Sequence, residues 1–242
     1  MDFNRIFFIF AFTLLVFAFP VFAQDPTNPI VFEDYETSYF LKDGVLTVEK
    51  EILIRNVGPS PVIPGQINFR MYEQRGENTQ PAIIKDVIAL NNDNEVESTV
   101  NTYDTYSDLV VHIWNPLLPD YEYPLSISYD LEFSPRGIFF RELVFPVEET
   151  TIPVKDRYTR LFIPKSYSVT YAPSAEISSD SLYKIVDWGS GSEFAIEYTL
   201  LPFPRMPFRM VSVFWLSVLV ILGALFIFLN MKRSKKDSRK KR

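Results

Sequence analysis

The chain has 242 residues, 47% of them hydrophobic, with a formal net charge of -6, one histidine and no cysteine. Without cysteine a domain of this size must be held by core burial rather than by disulfides. With one histidine, neither a zinc site of common type nor a histidine-activated nucleophile beyond that residue can be assembled. The net charge averages two opposite regions: residues 24–209 hold 28 acidic and 15 basic side chains, a net -13, whereas after residue 230 eight basic residues face Asp237 alone. An acidic body argues against nucleic acid as its ligand, because like charges repel within about a Debye length.

Taken from the N-terminus, the first apolar run covers residues 6–22 (IFFIFAFTLLVFAFPVF). It is short, follows Arg5, is interrupted at Pro20 and ends in Val21-Phe22-Ala23. This reads as a signal peptide over residues 1–23, cleaved before Gln24. Asp2 and Val21 depart from the usual pattern, and an uncleaved anchor that would make the chain span twice is the alternative. None of the eleven asparagines begins an Asn-X-Ser/Thr acceptor. Together with the missing cysteines, this favours a prokaryotic cell surface.

Between Ile30 and Leu201 short apolar runs alternate with period two and are separated by Pro, Gly, Asn and Asp, the pattern of β-structure. A hairpin is expected over Val31–Leu41 and Val45–Asn56, turning at Lys42-Asp43-Gly44, where Asp-Gly accepts the positive φ of a tight turn. Leu46, Val48, Ile52 and Ile54 share one face of its second strand. Lys50 falls on that face, with its ammonium expected to reach water at the rim. The clearest amphipathic strand is Tyr123–Phe133. Further strands are expected over Gln66–Glu73, Ile83–Leu90, Leu109–Trp114, Ile138–Phe145, Arg157–Ile163, Ser166–Tyr171, Leu182–Asp187 and Glu193–Leu200.

The fold expected is therefore all-β, an antiparallel β-sandwich ectodomain of two packed immunoglobulin-like modules, plus one C-terminal transmembrane helix. The first module covers residues 24–135 and the second 136–201, with a junction near Ser134-Pro135-Arg136-Gly137. A single enlarged sandwich is the alternative.

No catalytic, cofactor or metal constellation emerges from this region. His112 lies within Leu109–Trp114 and reads as a packed histidine. Asn91-Asn92-Asp93-Asn94-Glu95, followed by Asp104 and Asp108, is the densest run of oxygen ligands, but it lacks the spacing and glycine of an EF-hand and reads as a solvated loop. Asp187-Trp188-Gly189-Ser190-Gly191-Ser192 reads as a hairpin connection in which an exposed Trp188 would contact a partner.

Residues 202–209 hold three prolines and are expected to form an extended juxtamembrane stalk. Residues 210–229 follow with no charge, and fourteen of the twenty are Val, Ile, Leu or Phe. At about 1.5 Å rise per residue they span about 30 Å, the thickness of a bilayer core. The transmembrane helix is placed at residues 210–230, with Phe203, Phe208 and Trp215 as interfacial anchors. It lacks small-xxx-small spacing, so a simple tether is expected. Residues 231–242 form a basic tail in which Lys232, Arg233, Lys235, Lys236, Arg239, Lys240, Lys241 and Arg242 would contact anionic lipid headgroups. Each contributes about 1 kcal/mol near a charged leaflet. The excess of basic residues on this side places the tail in the cytoplasm and the β-region outside.

The plan is similar to that of accessory subunits of membrane complexes such as ribophorin-like proteins, a resemblance of architecture that specifies no site. The sequence reading is thus a single-pass, non-enzymatic cell-surface protein whose ectodomain binds another surface or membrane protein or serves a structural role. The alternative is an accessory subunit of a multispanning transport, secretion or glycosylation complex.

Overall fold

The computed structural model describes residues 28–42, 45–75, 78–133, 135–190 and 194–240, the last twelve through their backbone. The signal-peptide segment and the Asp43-Gly44 turn lie outside the described residues. Within the described residues the chain is mostly β. The strands are β1 (Ile30–Lys42), β2 (Val45–Asn56), β3 (Gly65–Arg75), β4 (Asn78–Pro81), β5 (Ile83–Asn91), β6 (Asn94–Glu95), β7 (Ser98–Thr102) and β8 (Ser107–Ile113). They continue with β9 (Glu122–Glu132), β10 (Arg141–Val144), β11 (Val147–Thr150), β12 (Val154–Pro164), β13 (Ser168–Tyr171), β14 (Glu176–Ser179), β15 (Tyr183–Gly189) and β16 (Ala195–Thr199). Among the described residues one helix, α1 (Met210–Lys240), follows.

An eight-stranded sheet runs β14-β15-β12-β1-β2-β9-β5-β6. A five-stranded sheet runs β11-β3-β8-β7 with β4 also beside β3, and β10-β16-β13 form a third. The period-two pattern explains the inner face: Leu46, Val48, Ile52 and Ile54 of β2 and Leu125, Ile127, Tyr129 and Leu131 of β9 are all buried, and register pairs Ile52 with Leu125 and Val48 with Tyr129. In β1 a bulge between Phe32 and Asp34 shifts the phase. Burial therefore passes from Ile30 and Phe32 to Tyr35, Thr37, Tyr39 and Leu41. That shift turns Tyr35 and Thr37 inward beside Lys50, the register partner of Thr37.

The inner face of this sheet meets the five-stranded one. Phe32 stacks on Phe69 of β3 with centroids 6.0 Å apart, and the Tyr129 hydroxyl donates to Met71 Sδ at 3.3 Å. Fully burying each such apolar side chain stabilises the fold by about 1.5–3 kcal/mol.

One expectation is corrected: the large sheet is not wholly antiparallel, because β1 and β12 pair in parallel, Phe32 beside Val154 through Phe40 beside Phe162. Strands from either side of residue 135 share this sheet, β12, β14 and β15 lying with β1, β2 and β9. The reason is burial: Leu161, Ile163 and Val186 complete the apolar face begun by β1 and β2.

Candidate functional site

Three places combine unusual chemistry with defined geometry. The first is a cleft of about 250 Å³ between β1, β12 and the β10–β11 segment, lined by Tyr35, Thr37, Tyr39, Phe145, Glu148 and Arg157 among others. Behind it lies Lys50, whose side chain is 1% exposed. This corrects the expected rim position. The alternation that put Lys50 on the apolar face was right, but its ammonium is satisfied internally instead of by water. Lys50 Nζ lies 2.5 Å from Glu148 Oε2, donates to the Tyr35 hydroxyl at 3.0 Å and reaches Thr37 Oγ1 at 3.5 Å. The Tyr35 hydroxyl donates in turn to Glu148 Oε1. β2 of one sheet is thereby tied to β11 of another.

Burial disfavours charge on both partners. It pushes the Glu148 carboxyl up to about 7, opposed by the nearby Arg157 guanidinium. It holds the Lys50 ammonium well below its ordinary value, and Arg157 acts in the same direction there. Arg157 itself lies over the Tyr35 ring, 5.0 Å from its centroid. Burial also pushes the Tyr39 hydroxyl up to about 12. A carboxyl that exchanges its proton near neutrality, next to an aromatic cleft, can donate or accept a hydrogen bond toward a small polar group.

The second place is the joint between the β-region and α1. Glu197 of β16 is 1% exposed. Its carboxylate accepts the Met210 amide at 2.9 Å, the Val211 amide at 2.8 Å and the Thr170 hydroxyl at 2.7 Å. The first turn of a helix leaves amides without intrahelical partners and carries partial positive charge. α1 has no acidic residue in its first turn, so Glu197 supplies the cap from a remote strand. Arg205 donates to the Ala172 and Ala175 carbonyls, the Met206 amide donates to the Thr170 carbonyl at 2.7 Å, and Arg209 pairs with Glu142. The segment expected to be an extended juxtamembrane stalk is strapped to the β-region, because its polar groups find acceptors there.

The third is the end of the sheets where β2 stops and β9 starts, a strand length of about 35 Å from the β9–β10 loop that touches α1. Asn56 is buried there. It donates to the Ser60 and Leu117 carbonyls at 2.9 and 2.8 Å and accepts the Gly58 amide at 2.9 Å. It fixes two loops that expose Val57, Ile63, Trp114, Leu118 and Tyr121.

The other sequence candidates fall elsewhere. His112 is half-buried, its ring 6.1 Å from that of Trp114. Asn92 and Asp93, at φ 44 and 68, form the turn joining β5 to β6, and this run is exposed from Asn92 to Glu95. Asp108 is buried and pairs with Arg70 at 3.3 Å. Among the described residues no group of three histidine or carboxylate side chains converges to hold a metal ion. Trp188 is not exposed: it lies within β15, is 5% exposed, and packs edge-on against Phe145 and Phe194. Phe203 packs on Phe140 at 5.3 Å, while Phe208 and Trp215 are exposed. Lys232, Arg233, Lys235, Lys236, Arg239 and Lys240 lie in α1 by their backbone, their side chains being outside the described residues together with all of Lys241 and Arg242. Sequence reading missed Glu148 and Glu197. The signal for Glu197 is a lone carboxylate inside the short strand Ala195–Thr199, and for Glu148 there is none, since its partner stands far away in the chain.

No family model matches the chain. An uncharacterized protein of Methanocaldococcus jannaschii is 27% identical to it over 144 residues, which is 58% of this chain and 100% of the relative. Among solved structures, an M1 zinc metallopeptidase from Deinococcus radiodurans superposes with a TM-score of 0.46 at 10% identity over 71% of this chain. The chain spans 42% of that peptidase. A candidate nutrient-binding protein from Legionella pneumophila gives a TM-score of 0.47 at 9% identity, over 72% of this chain and 68% of its own.

Proposed function

We propose that the chain is a single-pass membrane protein whose β-sandwich ectodomain lies outside the cell membrane and serves as a non-enzymatic binding or structural module, with its basic tail in the cytoplasm. One observation carries this reading. Residues Met210–Phe228 form a helical stretch of mean hydropathy 2.7 with no fully buried residue, and the contacts described for it with the β-region are in its first turns. A bare apolar surface of that length is unfavourable in water and matches a bilayer core. The Asn56-braced end, remote from the helix, supports binding: rigidly held loops with aromatic and aliphatic side chains are the usual composition of a protein contact. Anionic headgroups at the inner face are the partner proposed for the eight basic residues of the tail.

The absence of cysteine gives a direct test. Ser234→Cys in the tail and Ser60→Cys at an exposed position of the β-region, expressed separately in intact cells, are treated with a membrane-impermeant maleimide. Labelling at residue 60 and protection at residue 234 until the cells are opened is the expected result. The opposite pattern would overturn the orientation.

The accessory-subunit reading gains support from the strapped joint, because a domain fixed to its own helix is held at a set height for a multispanning partner. Purification in mild detergent separates the two: a stoichiometric polytopic partner favours the subunit, and a lone chain favours the free-standing module.

A further inference from the structure

We propose that the loop between β9 and β10 is a membrane wedge, with Ile138 and Phe139 inserted among the lipids of the outer leaflet beside the first turn of α1. The proposal rests on the reading that α1 spans the membrane. It adds a second point of insertion, contributed by the β-region itself.

The loop is built for exposure. The Arg136 and Glu142 backbones bond to each other at 3.0 and 2.7 Å, closing a short hairpin. Gly137 sits at φ +99, where a Cβ would meet the Phe140 carbonyl oxygen at 2.0 Å, so only glycine fits the turn. Phe140 is tucked under the loop against Phe203, and the Phe139 carbonyl accepts the Thr199 hydroxyl at 2.6 Å. The backbone is thus pinned to β16, yet Ile138 is 72% and Phe139 55% exposed. Two large apolar side chains held rigidly outward have no role in the core.

Depth follows from the helix. The uncharged apolar run of residues 210–229 has 20 residues, which at about 1.5 Å each give about 30 Å against a hydrocarbon core of about 30 Å. No turn can be spared, so Val211 and Phe214 must lie within the apolar layer. The Phe139 ring is 5.5 Å from that of Phe214, and the loop faces Val211 across Gly137. Whatever solvates Phe214 also solvates Phe139.

Charge agrees. Residues 135–140 contain no acidic side chain. The carboxylates at the joint are partnered, Glu142 by Arg209 and Glu197 by the amides of the first helix turn, whose partial positive charge offsets it. Arg136 is exposed at the loop's base, where a lipid phosphate would meet it.

The test uses the full chain in phosphatidylcholine–phosphatidylglycerol liposomes, with single cysteines at Ile138→Cys, Leu222→Cys and Leu118→Cys, each carrying an environment-sensitive fluorophore. Quenchers are doxyl groups at shallow and deep positions on the lipids, and aqueous iodide. The expected result is that shallow doxyl quenches the probe at 138 several-fold more than the probe at 118, and iodide quenches it several-fold less, while deep doxyl quenches the probe at 222. If 138 matches 118 while 222 is quenched from the deep position, the wedge is wrong and the span stands. If 222 is not quenched by lipid, both fall. If 138 is shielded from lipid and iodide alike, protein covers the loop and the lipid assignment is overturned.

Discussion

Glu197 accepts the amide of Val211 at 2.8 Å, so a carboxylate from the last strand caps the helix that follows it. The polypeptide between them cannot swing freely. Arg205 and Arg209, which trypsin would cut in a free linker, are held by the Ala172 and Ala175 carbonyls and by Glu142. Glu197→Ala leaves the Met210 and Val211 amides without their acceptor and the Thr170 hydroxyl with only the backbone carbonyl of residue 197, and is expected to loosen the joint by about 1–3 kcal/mol. Glu197→Gln keeps one acceptor and should cost less. The check is tryptic cleavage of the full chain in detergent, faster by about tenfold for each ~1.4 kcal/mol if cleavage follows local opening. Equal rates for wild type and Glu197→Ala would count against the cap.

The Lys50–Glu148 pair predicts strong coupling. Removing one partner leaves a buried group uncompensated, so Lys50→Met and Glu148→Leu are each expected to destabilise by about 3–5 kcal/mol. The double variant should lose far less than the sum, since a matched apolar pair needs no partner. Urea denaturation of the four proteins completes the cycle. Additive losses would show that the two groups do not act together.

Glu148 also predicts a pH dependence. Its carboxyl is raised by burial from 4.5 to about 7 in the folded protein, so between those values the folded state holds a proton that the unfolded state has released. Its contribution is fully present below about pH 4.5 and is lost as the pH rises through about 7. The stability difference between wild type and Glu148→Gln should therefore move against wild type across that window. A difference that stays flat from about pH 4.5 to about pH 7.5 would contradict a raised carboxyl.

Gly137→Ala tests the loop against α1. A side chain there is strained by the φ of +99 and would meet the Phe140 carbonyl at 2.0 Å. The backbone has to shift, at a cost of about 1–3 kcal/mol. Hydrogen exchange at the Arg136 and Glu142 amides, which close the loop, should speed up while the β2 and β9 amides stay protected. Unchanged exchange at residues 136 and 142 would mean that the turn tolerates the methyl group.

The long strands were legible in the sequence because one face is core and the other is wet: β1, β2, β3, β5, β8, β9 and β12 stand within a few residues of the expected positions. β7 (Ser98–Thr102), β11 (Val147–Thr150) and β14 (Glu176–Ser179) were not, since STVNT, VEET and EISS bury little and pair at or near sheet edges. Trp188 looked like a loop residue because Gly189 and Gly191 follow it, yet it continues β15 by one turn of the pleat. Lys50 illustrates the limit most clearly. Alternation placed it on the inner face, but what makes that position tenable is Glu148, reached only through the stacking of two sheets. The same holds for the prolines of residues 202–207, whose stiffness was readable while the acceptors that fasten their neighbours were not.

The side-by-side alignment of β1 and β12 sets a timetable for folding. Phe32 has to wait for Val154, so β1 keeps a bare hydrogen-bonding edge until most of the chain has emerged. Such distant pairing slows folding and leaves the early strands open to illegitimate partners. A cell that makes this protein would need to keep the nascent chain unfolded or shielded until the second half arrives.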